Sequence, residues 1–217
     1  AMNRRGRGAS GPLRPGHSLE TEYGDIAAVA AAVAAGGPVH VVGHSSGARF
    51  ALHAALRISD LASLALYEPP PPERFGAGVL EALAAMEATG DREGILRTFL
   101  IDVAGNDAAA LPVIRARPIW PIMLDNALTL PAELRAVSGY RFEPSAFAAL
   151  TTPTLCLLGG TSGPELAAVA GGVVDALPVA WISTLAGQGH GAMFSAPVLL
   201  TAELRRLFSR AAAAPGP

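Results

Sequence analysis

The chain has 217 residues, 51% of them apolar, with 16 Lys+Arg against 18 Asp+Glu and a formal net charge of -2. This length buries a substantial core as one domain, or as one domain carrying an insertion. The charge argues against nucleic acid as a partner, and the use of arginine alone as the basic residue, with abundant alanine, reads as codon bias.

A Gly/Arg/Pro-rich opening reaches Gly16. A helix is predicted over about 18–35, capped by Ser18 and stopped by Gly36-Gly37-Pro38. Glu20, Glu22 and Asp25 stand in front of its alanine-rich part, so Arg4-Arg5 is not read as a twin-arginine export signal. No apolar run reaches transmembrane length, and a cytoplasmic protein without a membrane partner is expected. A strand over 39–42 enters Gly43-His44-Ser45-Ser46-Gly47 and passes directly into a helix ending near Ser59. A second strand, 62–67, stops at Glu68-Pro69-Pro70-Pro71-Pro72. The next stretch is helical in pattern, punctuated by Gly90, Gly105, Pro112, Pro118, Pro121 and Pro131.

Strand character returns over 153–158 and ends in Gly159-Gly160. A helix over about 164–177, a strand over 179–185, the loop Gly187-Gln188-Gly189-His190-Gly191 and a last helix over about 197–212 follow. Strands alternating with helices imply the α/β class, a parallel sheet covered on both faces. The expected division is a core of 1–70 with 150–217 and a helical insertion over 71–149.

Cys156 lies inside Leu155-Cys156-Leu157-Leu158 and reads as a buried, inert thiol. His17, His40, His44, His53 and His190 nowhere fall at zinc-ligand spacing, so no metal is expected. Gly-x-Ser-x-Gly between a strand and a helix is the context of a nucleophile elbow. The flanking glycines leave room for a tight turn, the serine hydroxyl stands clear, and the first helix amides face the same space. A serine hydroxyl needs a neighbouring base, and the base needs an orienting group.

Ser45 is therefore the candidate nucleophile and His190, in a glycine-rich loop after the last strand, the candidate base. The acid is open between two carboxylates. Glu165 follows the strand at 153–158 but sits where a carboxylate simply favours a helix N-terminus. Glu68 stands at a strand tip beside the nucleophile strand, where its other reading is to brace the turn into the insertion. His44 is expected to pack and hydrogen-bond beside the serine, and His40 and His53 to be core or edge residues. Trp120, Met123, Tyr140 and Phe142 line an apolar pocket or pack the insertion's own core.

On these segments the chain resembles the α/β-hydrolases, in particular the small bacterial esterase and haloperoxidase-like group. Residues 3–11, Asn-Arg-Arg-Gly-Arg-Gly-Ala-Ser-Gly, are similar to the Arg-Gly-x-Gly-x-Ser segment after that family's fourth strand. Gly43 to Gly47 resembles its elbow, Leu66 to Pro70 the end of its sixth strand, and Gly187 to Gly191 its histidine loop. A carboxylate after the sixth strand occurs in related hydrolases such as some haloalkane dehalogenases, which favours Glu68. The stretch 71–149 resembles the family's cap, where substrate contacts from Trp120 and Met123 would join His44.

The resemblance implies a serine hydrolase acting on a small ester or related acyl substrate without a cofactor. Its alternatives are a catalytically impaired or non-catalytic ligand-binding protein on the same scaffold, and a tailoring enzyme of secondary metabolism. The family's opening strands and its His-Gly-type loop have no counterpart here, as if the gene start were set too far downstream or the protein were shortened. Ser46 N–H is then the remaining predicted oxyanion donor. The strand at 39–42 becomes an uncovered apolar edge, and a homo-oligomer through that edge is expected.

Overall fold

The computed structural model describes residues 1–72 and 75–213. In chain order they form α1 (Leu19–Val33), β1 (Val39–His44), α2 (Ser46–Ala55) and β2 (Leu61–Tyr67), and then five helices. These are α3 (Val79–Thr89), α4 (Arg92–Thr98), α5 (Leu111–Arg115), α6 (Trp120–Asn126) and α7 (Leu130–Val137). The chain continues through β3 (Thr154–Gly159), α8 (Pro164–Ala176), β4 (Ala180–Leu185), α9 (Ala192–Ser195) and α10 (Pro197–Ala213). It divides into two compact units, a sheet unit of Glu20–Pro71 with Phe142–Pro217 and a helical unit of Ala1–Leu19 with Pro72–Arg141.

In the sheet unit the described strands form a four-stranded, all-parallel sheet in the order β1-β2-β3-β4. Parallel neighbours require crossovers, and helices lie between each pair along the chain. Central strands buried on both faces read as nearly unbroken apolar runs, and β2 and β3 do so. Leu64, Leu66 and Cys156 pack with Ala48 and Leu52 of α2 and Ala170 and Val173 of α8. The alternate residues Ala65, Tyr67, Leu155 and Leu157 pack with Leu207 of α10. Burial pushes the Cys156 thiol up to about 12, which leaves it protonated.

The β1 strand ends the sheet, and Val42 on it is 48% exposed. His40 is an edge residue, its ring 4.3 Å from Phe208 and its Nδ1 2.7 Å from Ser63 Oγ. His53 of α2 is a packing residue: it stacks on Tyr23 at 4.7 Å and meets the edge of Phe147 at 5.1 Å. Phe142 stacks on Phe147 at 5.4 Å. It packs against this core and not against the insertion's own, because the chain has already returned to the sheet unit by that residue.

The helical unit is built around Leu83, Ile95, Leu96, Ala127 and Leu134. Pro112, Pro121 and Pro131 each stand in the first turn of α5, α6 and α7, where proline's missing N–H costs nothing. Residues 1–19, expected with the sheet, belong here instead: Arg7 donates to Glu133 Oε1 at 2.7 Å, and Arg4 to Glu133 Oε2 at 3.3 Å. Trp120 is half-buried under the Arg115 guanidinium, 5.7 Å from its ring centre, with half-buried Met123 one turn further along α6. Tyr140 is buried in the same unit. Among the described residues no helix is long and apolar enough to cross a membrane.

Candidate active site

Three neighbouring strands of the sheet unit end at one edge, and their register decides what meets there. His44 pairs with Tyr67 and Tyr67 with Leu157, so Ser45 and Glu68 are the next residues out on adjacent strands. Both turn away in left-handed backbone, with φ of 54° at Ser45 and 48° at Glu68. Among the described residues these are the two non-glycine positions with positive φ. Such conformations cost on the order of 1–3 kcal/mol each and gather at functional sites.

Glycine permits the first of these turns. A Cβ on Gly43 would run into the Gly47 carbonyl and lie 2.6 Å from Ala48 Cα, so only a bare backbone lets α2 start directly over the strand. Ser45 N–H donates to the Tyr67 carbonyl at 2.9 Å, and the Ser45 carbonyl accepts from Ala48 N–H at 2.8 Å. The amides of Ser46 and Gly47 precede that first helical bond, at the positive end of the α2 dipole.

Glu68 is fully buried. Its Oε1 accepts from Gly159 N–H at 2.7 Å, and its Oε2 lies 2.6 Å from His190 Nδ1. A carboxylate out of water needs such partners. With Nδ1–H committed to Glu68, Nε2 is the ring atom left to accept a proton. Just past Glu68, the buried Arg49 of α2 donates to the Pro70 and Pro71 carbonyls at 3.1 and 2.8 Å, fixing how the chain leaves the strand tip.

His190 lies between β4 and α9 with its side chain 47% exposed. His44 Nε2 donates to the His190 carbonyl at 2.9 Å, and the two rings lie 4.4 Å apart. Burial, with the neighbouring His190, lowers His44 to about 4. It is neutral near neutral pH and already committed as a donor, so it is not a second base.

The sheet edge thus brings His44, Ser45, Glu68 and His190 into one cluster. Glu165 stays outside it, exposed in the first turn of α8. Trp120 and Met123 lie in the helical unit. Three contributors were not foreseen: Tyr67, whose hydroxyl bonds the His190 loop, Gly159 through its N–H, and Arg49. Only Arg49 left a trace in the sequence, as a lone charge on an otherwise apolar helix face. Among the described residues no three His, Cys, Asp or Glu side chains are grouped to hold a metal ion.

The sequence model of the alpha/beta hydrolase family matches residues 1–204. The chain belongs to the alpha/beta hydrolase family. Its fold is shared with an alpha/beta hydrolase from Sphaerobacter thermophilus, 33% identical, with a TM-score of 0.81 over 94% of this chain and 79% of that one. A thermophilic esterase from Thermogutta terrifontis is 20% identical, with a TM-score of 0.67 over 95% and 78%. An E-2-(acetamidomethylene)succinate hydrolase is 22% identical, with a TM-score of 0.62 over 95% and 79%. No curated protein matches the chain. In this alpha/beta hydrolase the clustered serine, histidine and glutamate all belong to the sheet unit.

Proposed function

We propose that this hydrolase cleaves a small ester or related acyl substrate, with Ser45 as nucleophile, His190 as general base and Glu68 as the orienting acid. One observation carries the reading: the buried Glu68 carboxylate holds His190 Nδ1 at 2.6 Å, one strand from the left-handed turn that presents Ser45. Such burial is hard to account for unless the imidazole is to be held in one tautomer and steadied when protonated.

In this reading His190 Nε2 takes the Ser45 Oγ proton as Oγ attacks the acyl carbon. Glu68 stabilises the imidazolium, and Ser46 N–H, at the α2 N-terminus, donates to the developing oxyanion. The imidazolium returns the proton to the departing alcohol. Water, activated by the same histidine, then releases the acid from Ser45. Each proton leaves and re-enters through one ring nitrogen, so no cofactor is needed.

The test is intact-mass detection of a fluorophosphonate adduct, with Ser45→Ala as control, followed by a panel of short-chain esters. A single adduct absent from the variant, with turnover of at least one ester, is expected. Folded protein that gains no adduct overturns the assignment.

A further inference from the structure

A loop written Gly-Gln-Gly-His-Gly has little of its own to hold a general base in place. Gly187 has φ of 69°, and the glycines at 189 and 191 add backbone freedom on either side of His190. A base must nonetheless sit within hydrogen-bond reach of its proton, and displacements of about 1 Å cost large factors in rate. Glu68 fixes the imidazole at one atom. It does not fix the backbone that carries the ring.

Thr161 and Ser195 tie down Gln188 at the start of the loop, but the carbonyls of Gly189 and His190 themselves are held by the two residues immediately before the serine and the glutamate. His44 Nε2–H donates to the His190 carbonyl at 2.9 Å. The Tyr67 hydroxyl donates to the Gly189 carbonyl and accepts from Ala192 N–H at 3.2 Å. The two residues are register partners, with rings 5.1 Å apart, so they reach the loop as one unit. Each strand tip supplies a chemical group at its last position and a loop anchor one residue earlier.

We propose that His44 and Tyr67 form a clamp of positioning residues that sets the His190 loop against Ser45 and Glu68. The proposal rests on the hydrolase reading for its effect on rate, but the clamp itself is a property of the loop. Burial suits both groups to the task. It holds the Tyr67 phenol above its ordinary range, so the hydroxyl remains a donor, and it keeps His44 neutral beside the imidazolium. Merely structural roles would predict lower stability with an unchanged histidine.

The experiment compares wild type with Tyr67→Phe, His44→Phe and His44→Gln by two readouts. One is the pH profile of fluorophosphonate labelling. The other is the exchange-protected His190 Nδ1–H proton resonance, assigned by its loss in His190→Gln, which requires no reaction at Ser45. Tyr67→Phe and His44→Phe are expected to slow maximal labelling about 10- to 100-fold without weakening reagent binding, and to broaden the resonance by speeding its exchange. Gln keeps an amide donor near the Nε2 position, so His44→Gln should recover labelling to within a few-fold of wild type.

Tyr67→Phe is nearly isosteric and carries the test alone if His44→Phe fails to fold. An unchanged resonance in Tyr67→Phe overturns the clamp, and so does wild-type labelling in that variant. A resonance that depends on Tyr67 in a wild type that never labels supports the clamp and overturns the hydrolase reading instead.

Discussion

The tips of β2 and β3 are neighbours in one sheet, yet they are built in opposite ways. At β2 the chain ends in Tyr67-Glu68, two large polar groups that are almost completely buried. At β3 it ends in Gly159-Gly160, with no side chain at all. The bare tip is required by the loops packed over it: a Cβ on Gly159 would lie 2.6 Å from Ser162 Oγ, 2.7 Å from the Gln188 carbonyl and 2.8 Å from Gly189 Cα. Gly159 also gives its N–H to Glu68 Oε1 at 2.7 Å. The β2 tip supplies the carboxylate, and β3 supplies its second donor together with the room in which the histidine loop packs.

The strongest way to break this comparison is to neutralise the furnished tip. Glu68→Gln keeps the shape but loses the charge that, in the proposed mechanism, steadies a protonated His190 and fixes its tautomer. Fluorophosphonate labelling should fall on the order of 10³- to 10⁴-fold, with far-ultraviolet circular dichroism unchanged. Labelling within tenfold of wild type would remove Glu68 from the chemistry.

The bare tip should answer next. Gly159→Ala places a methyl against backbone atoms that cannot rotate away, and overpacking of this kind costs about 1–3 kcal/mol. Urea denaturation should show that loss. Labelling should drop about tenfold or more even where the protein is folded, because the displaced atoms at Gln188 and Gly189 belong to the His190 loop. A variant as stable and as reactive as wild type would mean that the tip is not tightly packed.

These tips also show what a sequence can and cannot reveal. Ser45, His190 and Glu68 stand out as candidates in the sequence because each combines a reactive side chain with local punctuation: glycines around the serine and histidine, prolines after the glutamate. The strands were recognisable because β2 and β3 are apolar on both faces. Tyr67 was hidden for the same reason, since an aromatic in such a run reads as core until its hydroxyl is seen to bond a loop 122 residues away. The Gly159 N–H has no sequence signature, because backbone donors are identical in every residue but proline. The placement of residues 1–19 was equally invisible, since it involves Arg7 and Glu133, 126 positions apart. The prolines of the helical stretch read as breaks, although three of them sit in the first turns of helices.

A smaller effect separates burial from chemistry. His44 at the site and His53 in α2 are both lowered to about 4, and burial is the leading cause for each. A histidine lowered on folding binds its proton more readily in the unfolded chain between about pH 6.5 and 4. Its share of stability is therefore present above that window and lost as pH falls through it, by at most about 1.4 kcal/mol per pH unit per histidine. His53→Phe keeps an aromatic ring between Tyr23 and Phe147. It should flatten the acid limb of a plot of unfolding free energy against pH and leave labelling at pH 8 unchanged. An unchanged acid limb would show that His53 titrates normally.

The smallest expected effect is at the carboxylate that follows the bare tip. Glu165 stands in the first turn of α8, exposed, where it favours the positive end of the helix dipole. Glu165→Gln should cost no more than about 0.3–1 kcal/mol in urea denaturation at low salt, and that difference should shrink as salt is added. Labelling should match wild type across the pH range, because Gln retains the length of the side chain and the site holds its carboxylate at Glu68. The variant is informative because Glu165 is the other carboxylate that the sequence leaves open as the acid. A tenfold loss of labelling in Glu165→Gln with little loss in Glu68→Gln would exchange the two tips, making the buried pair a brace and α8 the source of the acid.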